Sequence, residues 1–170
     1  MSQPASPRRP TLAVLSAGML LGACQAQAPA RPDPLPDQVL YVGSQCGADA
    51  PLVERIADAA VLRQAIAGRI VGDPPALPTV DFDRSLVLRL SMGQQPNAGY
   101  RLGVLGTRVE GVARRLVIDT VWATPEPGRM YAAMVAQPCV ILAVPRGDYG
   151  SVAVLDAQGR ERMGSAQPLR

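Results

Sequence analysis

The chain has 170 residues, 48% of them hydrophobic but only 4% aromatic, and a formal net charge of +3. All 17 basic residues are arginine and they are scattered, so the basic stripe that a nucleic-acid surface requires is missing. Histidine is absent, which removes the Ser–His–Asp and Cys–His routes to an activated nucleophile together with the commonest metal ligand.

Arg8 and Arg9 lead into an uncharged apolar run, TLAVLSAGMLLGAC (11–24). This is the layout of a secretory signal: a positive opening, an apolar stretch of about 7–15 residues, then small residues at a cleavage point. The run is too short to span a bilayer core, which takes about 20 apolar residues. Its end, Leu21-Gly22-Ala23-Cys24, resembles a bacterial lipobox. The resemblance implies a signal peptide over 1–23, cleavage before Cys24, and acylation of the Cys24 thiol and the new amino terminus. Gln25 rather than Asp follows the cysteine, which in such lipoproteins implies an outer-membrane address on the periplasmic side. An ordinary cleaved signal with a chance cysteine is the alternative. Pro10-Thr11 after the arginine pair argues against twin-arginine export. Without Arg8 and Arg9, fifteen arginines face fourteen acidic residues, so the mature chain is close to neutral.

Residues 24–37 hold four prolines and no aromatic side chain, and cannot bury a core. They read as a tether, reaching ~40 Å at most at about 3.1 Å per residue in extended polyproline geometry. The folded domain is expected over 38–160, with 161–170 a tail. A first strand is predicted at QVLYVG (38–43) and another at PLVERIAD (51–58). Asp58 is an N-cap candidate and Gly68 a C′ candidate for a short helix, with Val61, Leu62, Ala65 and Ile66 at helical spacing. A longer helix from Pro51 stays open. GDPPALPTVD (72–81) reads as a proline-rich loop. SLVLRLSMG (85–93) and YRLGVLG (100–106) are strands joined by QQPNA, and VARRLVIDTVW (112–122) is a third. ATPEPGRM interrupts the chain, YAAMV and CVILAVPR (131–146) read as two strands around Gln137-Pro138, and GSVAVLDAQGRE ends in a hairpin turn at Asp156–Gly159. Short apolar stretches alternating with turn residues predict a mainly β fold, a small antiparallel sandwich or barrel with one short helix. One Trp, one Phe and four Tyr leave its core to Leu, Val and Ile.

Two cysteines remain in the domain, Cys46 and Cys139, without Cys-x-x-Cys spacing or further zinc ligands. In an exported protein they read as a disulfide, worth roughly 4–5 kcal/mol for so long a loop in the chain-entropy model. Asp81 and Asp83 would share one face of an extended segment, but acids where a strand begins are commonly solvated. With Asp148 isolated in PRGDYG, no reaction class has its parts, and neither a catalytic residue, a metal nor a cofactor is expected.

The run VDFDRSLVLRLSMGQQPNAGYRLGVLG, continued by MVAQPCVILAVPR, resembles the PrcB-like domain, named for a lipoprotein subunit of a secreted-protease complex. The shared features are Asp81-Phe82, the apolar strand 86–92, Gly93, Pro96, Gly99-Tyr100, Gln137-Pro138 and Val144-Pro145-Arg146. Ala98 stands where the family prefers glycine, and Cys139 where it often has an aromatic. The resemblance implies a non-catalytic envelope accessory protein that binds or stabilises another envelope protein, such as a secreted peptidase, and meets the membrane only through its lipid.

The loop Gln94, Gln95, Pro96, Asn97, Ala98, Gly99, Tyr100 is the candidate partner-binding segment. It lacks the glycine spacing and helix of a phosphate cradle. It is expected as an exposed loop between antiparallel strands, with Gly99 at positive φ and Tyr100 opening the second strand, its ring partly buried. Pro96, Gly99 and Tyr100 also match the contact loop of chagasin-like cysteine-peptidase inhibitors, whereas Gln95, Asn97 and Ala98 differ. Peptidase inhibition and a purely structural envelope role are therefore the competing readings. Cys24→Ser tests the anchor: unprocessed precursor should accumulate and leave the membrane fraction. Unchanged size and unchanged fractionation would refute acylation at Cys24.

Overall fold

A computed structural model describes residues 34–67 and 79–165. Cys24 with the signal and most of the tether, Gly68, and most of the proline-rich loop lie outside those residues. The elements are β1 (Pro34–Leu35), β2 (Gln38–Gly43), β3 (Pro51–Ile56), α1 (Ala59–Ile66), β4 (Ser85–Met92), β5 (Arg101–Glu110), β6 (Arg115–Ala123), β7 (Cys139–Pro145), β8 (Ser151–Leu155) and β9 (Glu161–Ser165). They form two sheets, ordered β1-β5-β6-β8-β9 and β2-β7-β4-β3. The fold is mainly β, and of the two expected architectures it is the sandwich. Every pair is antiparallel except β6 with β8.

The inter-sheet core is aliphatic. Leu86, Leu88, Leu90 and Met92 of β4 and Val140, Leu142 and Val144 of β7 meet Leu102, Leu116, Ile118, Val152 and Val154 of the other sheet. The opposite face of β4 and β7 is covered as well: Val87, Ile141 and Ala143 pack with Leu62 and Ile66 of α1. The helix forms where the sequence predicts it. The Asp58 carboxylate accepts hydrogen bonds from the N–H groups of Ala60 (2.7 Å) and Val61 (2.9 Å), satisfying two of the donors that a helix start leaves without partners. PLVERI pairs with β4 as a strand, so the longer helix from Pro51 does not form.

Four expectations need correction. YAAMV is not a strand: residues 131–135 sit in no ladder, because the chain there is crossing from the end of β6 to the start of β7 in the other sheet. β4 and β5 are not partners either; the loop between them passes from one sheet to the other. Asp81 and Asp83 do not share an extended face, since the Asp81 carboxylate accepts from the N–H of Asp83 (3.0 Å) and of Arg84 (3.3 Å) and closes a turn. Finally, the sheet runs beyond residue 160, because Glu161–Ser165 pairs with β8, and at the other end Pro34–Leu35 pairs with β5.

The β8–β9 hairpin is held by one buried carboxylate. Asp156 accepts from the N–H groups of Gln158 (2.9 Å) and Arg160 (3.0 Å) and from Nε of Arg160 (2.9 Å) and Arg162 (2.8 Å). Burial alone would raise its pKa, but the backbone donors of Arg160 and Gln158 and the two guanidiniums outweigh it and lower the pKa from 3.8 to about 2. A depressed carboxylate stabilises the fold above its unfolded pKa, and the contribution fades as pH falls from about 4 towards 2. Asp156→Asn should therefore melt below the native protein at pH 7, with the gap narrowing at pH 2. Equal gaps at both pH values would refute this role.

Candidate functional site

Three loops meet at one end of the sandwich: 44–50 after β2, 93–100 after β4, and 124–138 after β6. Strand register brings them together, since Gly43 faces Cys139 and Pro51 faces Met92. Cys46 and Cys139 are both buried and form a disulfide across a sequence separation of 93, with Cα atoms 5.9 Å apart. The bridge fastens the first loop to the first residue of β7.

Gln137, in the third loop, binds the first loop through all its polar groups. Its N–H donates to the Ser44 carbonyl (2.7 Å), and its carbonyl accepts from the Cys46 N–H (3.2 Å). The side-chain oxygen accepts from the Gly47 N–H (2.8 Å), while Nε2 donates to Asp49 (3.3 Å). The central loop is laced to the third in the same way. Gln95 and Ala136 exchange two backbone hydrogen bonds, 2.7 and 2.9 Å, and the Ala98 N–H donates to the Ala132 carbonyl (3.2 Å).

Within the expected binding loop, Gln94, Pro96 and Ala98 are exposed, and Gln95, Asn97 and Tyr100 are half-buried. The Gln95 side chain donates to the Met92 carbonyl (2.9 Å), and the Asn97 side-chain oxygen accepts from the Gly99 N–H (2.9 Å). Those two side chains build the loop rather than project from it. Tyr100 packs on the inter-sheet core, as its expected partial burial requires, and β5 starts one residue later at Arg101. Gly99 is not at positive φ. It is glycine because a Cβ would lie 2.9 Å from the ring of Tyr131, itself placed by a hydrogen bond from the Glu126 N–H to its hydroxyl (3.1 Å). The left-handed turn falls on Gly93 instead, at φ +73°, where a Cβ would also meet the Ala50 carbonyl carbon at 2.7 Å.

Sequence reasoning missed the third loop. Met130 is 96% exposed, Met134 49% and Val135 51%, beside the expected binding loop. The available signal was an apolar run, MYAAMV, following Pro125, Pro127 and Gly128, where a turn rather than a ladder should follow. Among the described residues no three His, Cys, Asp or Glu side chains are grouped to hold a metal ion. What the arrangement offers chemically is a rigid apolar and amide surface. Residues 86–145, spanning β4 to β7 with the second and third loops, match the family model described as PrcB C-terminal, so the chain contains a PrcB-like domain. No curated protein and no solved structure gives a match.

Gly99→Ala should cost about 1–3 kcal/mol in denaturant unfolding, because the Tyr131 ring must yield. Gln94→Ala, at an exposed position five residues earlier in the same loop, should stay within about 0.5 kcal/mol. Equal effects would show that the ring contact does not constrain Gly99.

Proposed function

Taking the PrcB-like domain as premise, we propose that this protein is a lipid-anchored accessory module of the bacterial envelope, without catalysis of its own, that docks another envelope protein through the three-loop end. A secreted peptidase is the partner class we favour, in line with the family resemblance. The observation that carries the reading is the exposure of Met130, Met134 and Val135 on a segment tied down by Gln137, Gln95 and the disulfide. Neighbouring apolar side chains held in water on a rigid frame are unfavourable for a free protein and favour a partner. Methionine suits such a surface because its unbranched, polarizable side chain adapts to the surface it meets. Since loop 93–100 is bonded along loop 124–138, docking of a broad surface fits better than insertion of one loop into a cleft.

The test is affinity capture of the full chain from its own envelope after cross-linking, comparing the native protein with a Met130→Asp/Met134→Asp variant. Recovery of an envelope protein should fall about tenfold or more in the variant, equivalent to about 1.4 kcal/mol, while the melting temperature holds. Equal recovery with both proteins would defeat the proposal.

A further inference from the structure

The four sheet edges are not alike. β1 is two residues long and opens with proline; β3 opens with Pro51 and carries Glu54 and Arg55; β9 carries Glu161 and Arg162. Short length, proline, charge and bulges are among the devices that keep an edge from pairing with another chain. β2, the outer strand of the four-stranded sheet, has neither charge nor proline in its six residues, QVLYVG. Among the described residues no strand pairs with its free side.

Its one irregularity is a bulge, where the register with β7 skips between Val39 and Tyr41. In a regular strand Val39 and Val42 would point to opposite faces. The extra residue, Leu40, changes that. Leu40 and Tyr41 both pack into the core beneath α1, which leaves Val39 and Val42 sharing the other face. Both valines are exposed, at 43% and 59%.

We propose that β2 pairs with β2 of a second copy of this chain, antiparallel about a twofold axis. Facing residues of an antiparallel pair lie on the same face of the sheet. Centring the axis between Leu40 and Tyr41 satisfies that condition: each Val39 faces the second copy's Val42, and each Leu40 the second copy's Tyr41. The patch is thus complementary to itself, as an isologous contact must be. Both exposed valines of each copy are covered, and no charge is buried. A strand pair of this length buries less than the roughly 1,200 Å² of a standard interface, so the dimer is weak and concentration-dependent.

Sedimentation of the full chain in detergent, from about 1 μM to about 1 mM, brackets dissociation constants of that order. The native protein should shift from monomer to dimer. Val39→Lys alone and Val42→Glu alone should each remain monomeric, since a charge would be buried against a valine. The combined variant should dimerise again, because the register sets each lysine against a glutamate. Melting curves of all three variants check that the domain stays folded. Three results would overturn the proposal: a native monomer throughout, a dimer indifferent to either single change, or a combined variant no better than the singles. A native monomer would leave the edge to a strand of a different protein.

Discussion

The pairing of β4 with β7 is the contact on which the other parts depend. These two strands are the middle of the four-stranded sheet, and both of their faces are covered. Side chains alternate between the inter-sheet core and the layer beneath α1, so neither strand has a water-facing side. Each large aliphatic side chain buried in this way contributes about 1.5–3 kcal/mol relative to exposure. The same pairing lays Ser91 opposite Cys139. That register decides where β4 stops and β7 begins, and hence where the disulfide and the loops around it are built.

Arg89 shows how the sheet reaches outward to the loops. It is the one charged side chain on β4, half-buried beneath the edge strand. It forms an ion pair with Glu54 of β3, and its Nη1 donates to the Cys46 carbonyl at 3.2 Å. A guanidinium can serve both because its donors point along fixed, divergent directions. One arginine thereby ties a strand edge to the disulfide-bearing loop. Ser91 acts similarly at shorter range: its hydroxyl oxygen accepts from the Gly93 N–H (3.1 Å), which fixes the chain where it turns out of β4 into the central loop.

Local chemistry was legible in the sequence; long-range partnership was not. The strands with both faces buried are continuous apolar runs, and α1 carries its own cap, so both are readable within a few residues. The cysteine pair was readable because two isolated cysteines behind an export-like leader, with no metal-ligand spacing, read most simply as a disulfide. Which sheet each strand joins depends on contacts far apart in the chain, and β4 followed by β5 therefore looked like a hairpin when it is a crossing. YAAMV looked like a strand for a related reason: apolar content reports a cost of exposure to water, not the presence of a ladder partner. Gly99 reads in sequence as a backbone-conformation glycine, whereas the constraint is the Tyr131 ring, contributed by another loop. The prominence of Gln137 was equally invisible, since an isolated Gln-Pro dipeptide does not show that both its amides will be used.

These misreadings share a physical origin that bears on function. The loops at this end are held less by their own turn chemistry than by one another, through Gln137, the Gln95–Ala136 exchange and the Cys46–Cys139 bridge. A loop fixed by its neighbours loses little conformational entropy when it meets a partner, so more of the contact energy appears as affinity. It also divides the work between side chains. Gln95, Asn97 and Gln137 face inward and hold the frame; Gln94, Pro96, Met130 and Met134 face outward and are free to vary without unfolding it. A surface of that kind needs a stable sandwich beneath it and no reactive group upon it. Most of the described acidic groups serve the frame as well: Asp81 and Asp156 close turns, Asp58 caps the helix, and Glu54, Glu110, Asp119, Glu126 and Glu161 pair with arginine.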